Sequence, residues 1–199
     1  LAHDAGIARA DVLQAHLVLV VERCQPHRGA RDEHRLEPRD RGELAGAGGE
    51  PAGELAQAIT RDLGGFGKMR TDFAAAGASV MLSSRKEDAL HDAARSITPT
   101  GDARLEVCAA NAGDPDAAAA CVATTVERLG GLDILVNNAA TNPYMGRMID
   151  IDLPRLDKTY DVNLRGAFVW TQEAFRQAMA DHGGNVINIA SIGGLGVEP

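Results

Sequence analysis

The sequence predicts an α/β protein built on a doubly wound parallel sheet, and three observations carry that prediction. From about residue 54 onward, strand-like and helix-like runs alternate. Two of the strand-like runs, "LDILVNN" (132–138) and "NVINIAS" (185–191), are almost wholly apolar, as strands covered on both faces are. The segments between strands are long enough for crossover helices, and right-handed crossovers place helices on both faces of a sheet.

Taken in order, residues 1–53 stand apart. They contain no Lys, Ser, Asn, Met or aromatic residue, and "RCQPHRGARDEHRLEPRDRGELAGAGGEPAGE" shows no sustained apolar period. Burial there cannot offset a backbone ordering cost of roughly 1–2 kcal/mol per residue, so residues 23–53 read as disordered. The same compositional bias also fits translation of a shifted reading frame. Residues 10–22 are read as one helix. Its apolar run, Leu17 to Val21, is far too short to span a bilayer and is followed by Glu22 and Arg23.

Residues 54–199 form the second segment. "ELAQAIT" (54–60) is a weak strand, and Gly64 to Ala76 reads as a helix burying Phe66, Met69, Phe73 and Ala76 or Gly77. "ASVMLSS" (78–84) is a strand followed by a helix over 86–96. "ARLEVCA" (103–109) is a strand followed by a helix opened by Asp114-Pro115. Asp caps free N–H groups, Pro suits the first turn, and Ala118, Cys121, Val122, Thr125 and Leu129 form the buried stripe. A long helix is expected over about 154–181, between the two apolar strands.

Charge and cysteine content narrow the function. The formal net charge of −8 lacks the basic face that neutralises phosphates in nucleic-acid binders, so a small molecule is the expected partner, with no nucleic acid and no membrane. Cys24, Cys108 and Cys121 form no CxxC pair, which fits a reducing, cytoplasmic setting. His3, His16, His27 and His34 share no ligand spacing, and no metal site is expected.

Ligands of open α/β sheets sit beyond the carboxyl ends of the strands, so the residues there are the candidates. Thr60 to Gly67, "TRDLGGFG", is glycine-rich; glycines there let backbone N–H groups approach a pyrophosphate, although a structural turn explains them as well. After the next strand comes Ser83-Ser84-Arg85, with Arg85 in place of the carboxylate that would hold an NAD ribose. Arg pairs with the 2′-phosphate of NADP, which makes NADP the expected cofactor, with NAD the alternative. Asn137 and Asn138 end a buried strand and need partners for their amides, from the turn, a ligand or both. Asn163 inside a helix invites a local irregularity.

"LDILVNNAA", "TYDVNLRGAF" and "GNVINIASIGGL", in this order, resemble the short-chain dehydrogenase/reductase family over roughly residues 55–199, with 3-oxoacyl-carrier-protein reductases and carbonyl reductases the nearest likeness. The resemblance implies a Rossmann-like fold and an oxidoreductase that moves hydride between NADP(H) and a ketone, 3-oxoacyl group or secondary alcohol. Asn163 would interrupt its helix and hold a water of a proton relay, and Ser191 would hydrogen-bond the substrate oxygen. Thr60, Gly65 and Gly67 would belong to the cofactor loop, Asn111 would face the adenine, and Asn137 and Ala139 would line the cofactor site. "TNPYMGRM" would form one wall of the substrate pocket.

The sequence departs from the family pattern at two points. Arg61 stands where the glycine motif has its first Gly, and forcing it to positive φ would cost roughly 1–2 kcal/mol. The family's Tyr and Lys would fall about 13 and 17 residues after Ser191. Tyr144 and Tyr160 lie in other motifs. The expectation is a fragment of a homo-oligomeric enzyme, its sheet incomplete at the C-terminal end; the alternative is a catalytically inactive nucleotide-binding or dimerising module.

Overall fold

The computed structural model describes residues 17–21, 66–144 and 146–190. The segment around 54–60, most of the glycine-rich loop and Ser191 lie outside the described residues. Strands β1 (Leu17–Val21), β2 (Ser79–Ser84), β3 (Leu105–Ala109), β4 (Ile134–Asn137) and β5 (Asn185–Asn188) form one sheet in the order β3-β2-β1-β4-β5. Helices α1 (Phe66–Ala75), α2 (Glu87–Arg95), α3 (Pro115–Leu129), α4 (Leu153–Tyr160) and α5 (Ala167–Ala174) connect or follow the strands.

Strand alternation builds two cores. Val80 and Leu82 of β2 and Ile134 and Val136 of β4 join Met69, Phe73 and Ala74 of α1 and Leu90 of α2 in one cluster. Met81 and Leu135 point to the opposite face and join Ala118, Cys121, Val122 and Leu129 of α3 with Trp170 and Ala174 of α5. Two helical layers around one sheet are the expected doubly wound architecture, and β2–β3 and β4–β5 pair in parallel.

The central strand departs from expectation. Leu17–Val21, read from sequence as part of a helix, is β1, and it runs antiparallel to both neighbours, with Leu19 opposite Met81 and Leu135. Three of its five residues are Val, whose branched side chain favours the pleated strand, and the position between β2 and β4 satisfies the backbone groups of both. Because β1 runs in reverse, its start rather than its end lies beside the carboxyl ends of β2 and β4.

Two further corrections concern burial. Gly77 takes φ +89° and turns the chain into β2, so α1 ends at Ala75 and buries Ala74 with Met69 and Phe73, leaving Ala76 and Gly77 exposed. Whereas β4 is buried throughout, β5 is an edge strand only partly covered, with Val186 38% exposed. Helix α3 matches expectation closely. The Asp114 carboxylate accepts from the Asp116 and Ala117 amides, Pro115 follows, and the buried stripe is Ala118, Cys121, Val122, Thr125 and Leu129.

Candidate active site

The carboxyl ends of β3, β4 and β5 open onto a pocket of about 440 Å³, bounded by the turn after β3 and the helical segment that follows β4. That segment is one continuous helix interrupted by π-helical turns at Asp161–Gly166 and Phe175–Met179. The first contains Asn163, where the sequence invited an irregularity. A π turn shifts the hydrogen-bond register and leaves a main-chain group without its usual partner, which is why such turns recur at functional sites.

Asn163 uses both ends of its amide on one residue. Its Oδ1 accepts from the Thr141 amide at 2.8 Å and its Nδ2 donates to the Thr141 carbonyl at 2.9 Å. The pairing clamps the loop after β4 to the π turn.

Asn137, at the end of β4 and 7% exposed, faces α5. Its Nδ2 donates to Asn188 Oδ1 at 2.9 Å and to Thr171 Oγ1 at 3.2 Å, with the Ala167 carbonyl at 3.4 Å. Its Oδ1 is buried without a hydrogen-bond partner. An orphaned amide oxygen on a residue that lines the pocket is a feature that a bound donor would satisfy.

Two close approaches fix the pocket's floor. A Cβ on Gly166 would lie 2.5 Å from the Ala112 carbonyl oxygen, and one on Gly113 would lie 3.1 Å from Val162 Cγ2. The Trp170 indole N–H donates to the same Ala112 carbonyl at 3.2 Å. The turn after β3 is therefore seated against the π turn and the start of α5.

Residues 68–199 match the family model described as enoyl-(acyl carrier protein) reductase. The chain belongs to the short-chain dehydrogenase/reductase family. It is 33% identical over 124 residues to dehydrogenase/reductase SDR family member 4 of Homo sapiens, covering 62% of this chain and 44% of that protein. It is 32% identical over 136 residues to the short chain dehydrogenase/reductase dpmpG of Macrophomina phaseolina, covering 67% of this chain and 78% of that one. A crystal structure of a short-chain type dehydrogenase/reductase from Mycobacterium marinum superposes with a TM-score of 0.61 at 31% identity, covering 66% of this chain and 53% of that one. The chain thus spans less than half the length of the human relative.

Of the site residues expected in this short-chain dehydrogenase/reductase, Asn137, Ala139 and Asn163 line one pocket, and Ala190, the neighbour of Ser191, lines it too. Arg85 and Asn111 are not in its wall. Arg85 is exposed just past β2, with no carboxylate paired to it among the described residues. Asn111 follows β3, and its Oδ1 accepts from the Gly113 amide at 3.3 Å, so its side chain braces the turn. Gly67 lies in the first turn of α1, while Thr60, Gly65 and Ser191 are outside the described residues. Gly166, Trp170, Thr171 and Asn188 were not singled out from sequence. A glycine inside a helix and an Asn inside an apolar strand were the available signals for Gly166 and Asn188.

Among the described residues, no helix is long and apolar enough to cross a membrane.

Proposed function

We propose that the chain forms the nucleotide-binding part and one wall of the catalytic pocket of an NADP(H)-dependent oxidoreductase that interconverts a ketone or 3-oxoacyl group and a secondary alcohol. The observation that carries this reading is the convergence of Asn137, Ala139, Asn163, Asn188 and Ala190 on one pocket beyond the carboxyl ends of β4 and β5. The orphaned Asn137 oxygen and the backbone at Ala139 fit the polar edge of a nicotinamide nucleotide. When bound, that cofactor exchanges a hydride with the carbonyl carbon.

The chain's own residues orient and polarise. Asn163 holds the loop after β4 in place through Thr141, shaping the pocket wall. Ser191 donates a hydrogen bond to the substrate oxygen, and the proton comes from the Tyr that family likeness places about 13 residues later, beside its Lys. At the far end of the sheet, exposed Arg85 is free to pair with the 2′-phosphate of NADP, and Asn111 borders the adenine. Thr60, Gly65 and Gly67 supply the pyrophosphate loop. The intact enzyme is a cytoplasmic homo-oligomer.

Calorimetric titration of the 199-residue chain with NADPH and NADH tests the cofactor assignment. NADPH is expected to bind more tightly, and Arg85→Asp is expected to reduce the NADPH preference at least about tenfold, the equivalent of 1.4 kcal/mol. Unchanged preference in a folded variant removes Arg85 from the role. Turnover of a ketone is expected only from a chain extended through the Tyr and Lys; rapid reduction by the 199-residue chain would overturn the assignment of the proton donor.

A further inference from the structure

On the face of the sheet that carries α3, and outside the pocket just described, the structure brings two thiols together. Strand β3 alternates. Leu105 and Val107 pack with the α1–α2 core, so Glu106 and Cys108 face α3. Glu106 Oε2 accepts from Arg128 Nη1 at 3.3 Å, so the end of α3 lies beside the start of the strand. Seven positions back along α3, two helical turns and on the same face, is Cys121. Two positions forward along β3 is Cys108, packed against the cluster that contains Cys121. The two thiols perturb each other's titration in opposite directions, as neighbouring groups in one cluster do.

The two thiols differ in access. Cys121 is fully buried, 0% exposed, whereas Cys108 is on the outermost strand of the sheet and only partly covered. A small oxidant therefore reaches Cys108 first and finds Cys121 beside it.

We propose that Cys108 and Cys121 form a hydroperoxide-sensitive thiol pair whose oxidation to a disulfide ties α3 to β3. In the first step the Cys108 thiolate attacks the outer oxygen of a hydroperoxide. The O–O bond breaks, an alkoxide or hydroxide leaves and takes up a proton, and Cys108 becomes a sulfenic acid. In the second step Cys121 Sγ attacks the sulfenyl sulfur as it loses its proton. The S–O bond breaks, the S–S bond forms, and the departing hydroxide takes that proton and leaves as water. Two thiols and one hydroperoxide give one disulfide, one alcohol or water, and one further water, with two electrons passing from sulfur to peroxide.

The electrostatics suit this order. The neighbouring Cys121 thiol lowers the Cys108 pKa to about 7, with the Arg128 guanidinium assisting and burial and Glu87 opposing. The nearby Cys108 sulfur and burial push the Cys121 thiol up, so the proton stays on the buried partner. Cys108 is thus the attacking thiolate and Cys121 the resolving thiol.

The test uses the 199-residue chain with Cys24→Ser, which leaves only the pair. It is treated with hydrogen peroxide, quenched, unfolded and alkylated, then read by intact mass and peptide mapping. The expected product is a Cys108–Cys121 cross-linked peptide with both thiols protected from alkylation and restored by dithiothreitol. Its pH–rate profile should have a midpoint near 7 when folded and about 8.5 in urea. With Cys121→Ser added, dimedone should trap a sulfenic acid on Cys108. Oxidation of Cys108 to sulfinic acid without the cross-link overturns the proposal. So does alkylation of both thiols after peroxide treatment at the level of the untreated protein. The cross-link in the Cys24→Ser chain decides the matter even where Cys121→Ser fails to fold.

Discussion

Replacing Asn137 with Leu is expected to leave the ligand-free protein almost as stable as before while weakening its nucleotide site. The amide gives up two good hydrogen bonds, to Asn188 Oδ1 at 2.9 Å and Thr171 Oγ1 at 3.2 Å. At about 0.5–1.5 kcal/mol each, their loss destabilises by about 1–3 kcal/mol. The same substitution removes Oδ1, a buried acceptor without a partner, and leaving such a group unsatisfied costs about 1–3 kcal/mol. The two effects oppose each other, so the net change lies within about 2 kcal/mol of zero. Urea unfolding followed by fluorescence of Trp170, the chain's single tryptophan and fully buried beside this site, measures it directly. With a slope of about 1–3 kcal/mol per molar urea, the midpoint should move by no more than about 2 M. In the proposed function the same variant binds NADPH about tenfold more weakly, because the polar edge of the pocket is gone. A loss above about 3 kcal/mol without ligand would refute the reasoning, since it would mean that the oxygen was satisfied.

Asn163→Ala removes both bonds to Thr141, and amide hydrogen exchange at Thr141 is expected to accelerate about tenfold, the equivalent of 1.4 kcal/mol of local stability. Gly166→Ala drives a Cβ to 2.5 Å from the Ala112 carbonyl; overpacking of about 1–3 kcal/mol should outweigh the roughly 1 kcal/mol gain in helix propensity, lowering the urea midpoint. Asp114→Ala strips the cap from the Asp116 and Ala117 amides and should cost about 1 kcal/mol by the same measurement, while Asp114→Asn should retain most of it.

Local pattern carried much of the fold. The strands before α2, α3 and the long helix, the Asp114-Pro115 helix start and the buried stripe of α3 could all be read in sequence. Each depends on side-chain period or capping within a few residues. The π turn at Asn163 was legible for the same reason, since an Asn in a helix interior disturbs its own backbone. The segment Leu17–Val21 was misread because short apolar runs satisfy helix and strand patterns alike. Its place between β2 and β4 decided the matter.

What the sequence by itself determined, then, is the alternation of elements, the caps and the motif residues that identify the family, because these are properties of neighbours along the chain. Only the tertiary structure decided that the central strand runs backwards and that Cys108 packs against the cluster holding Cys121. The same holds for Trp170 reaching Ala112 across 58 positions and Asn137 reaching Asn188 across 51. Those contacts follow from strand order and from how helices settle on the sheet, which no local period encodes.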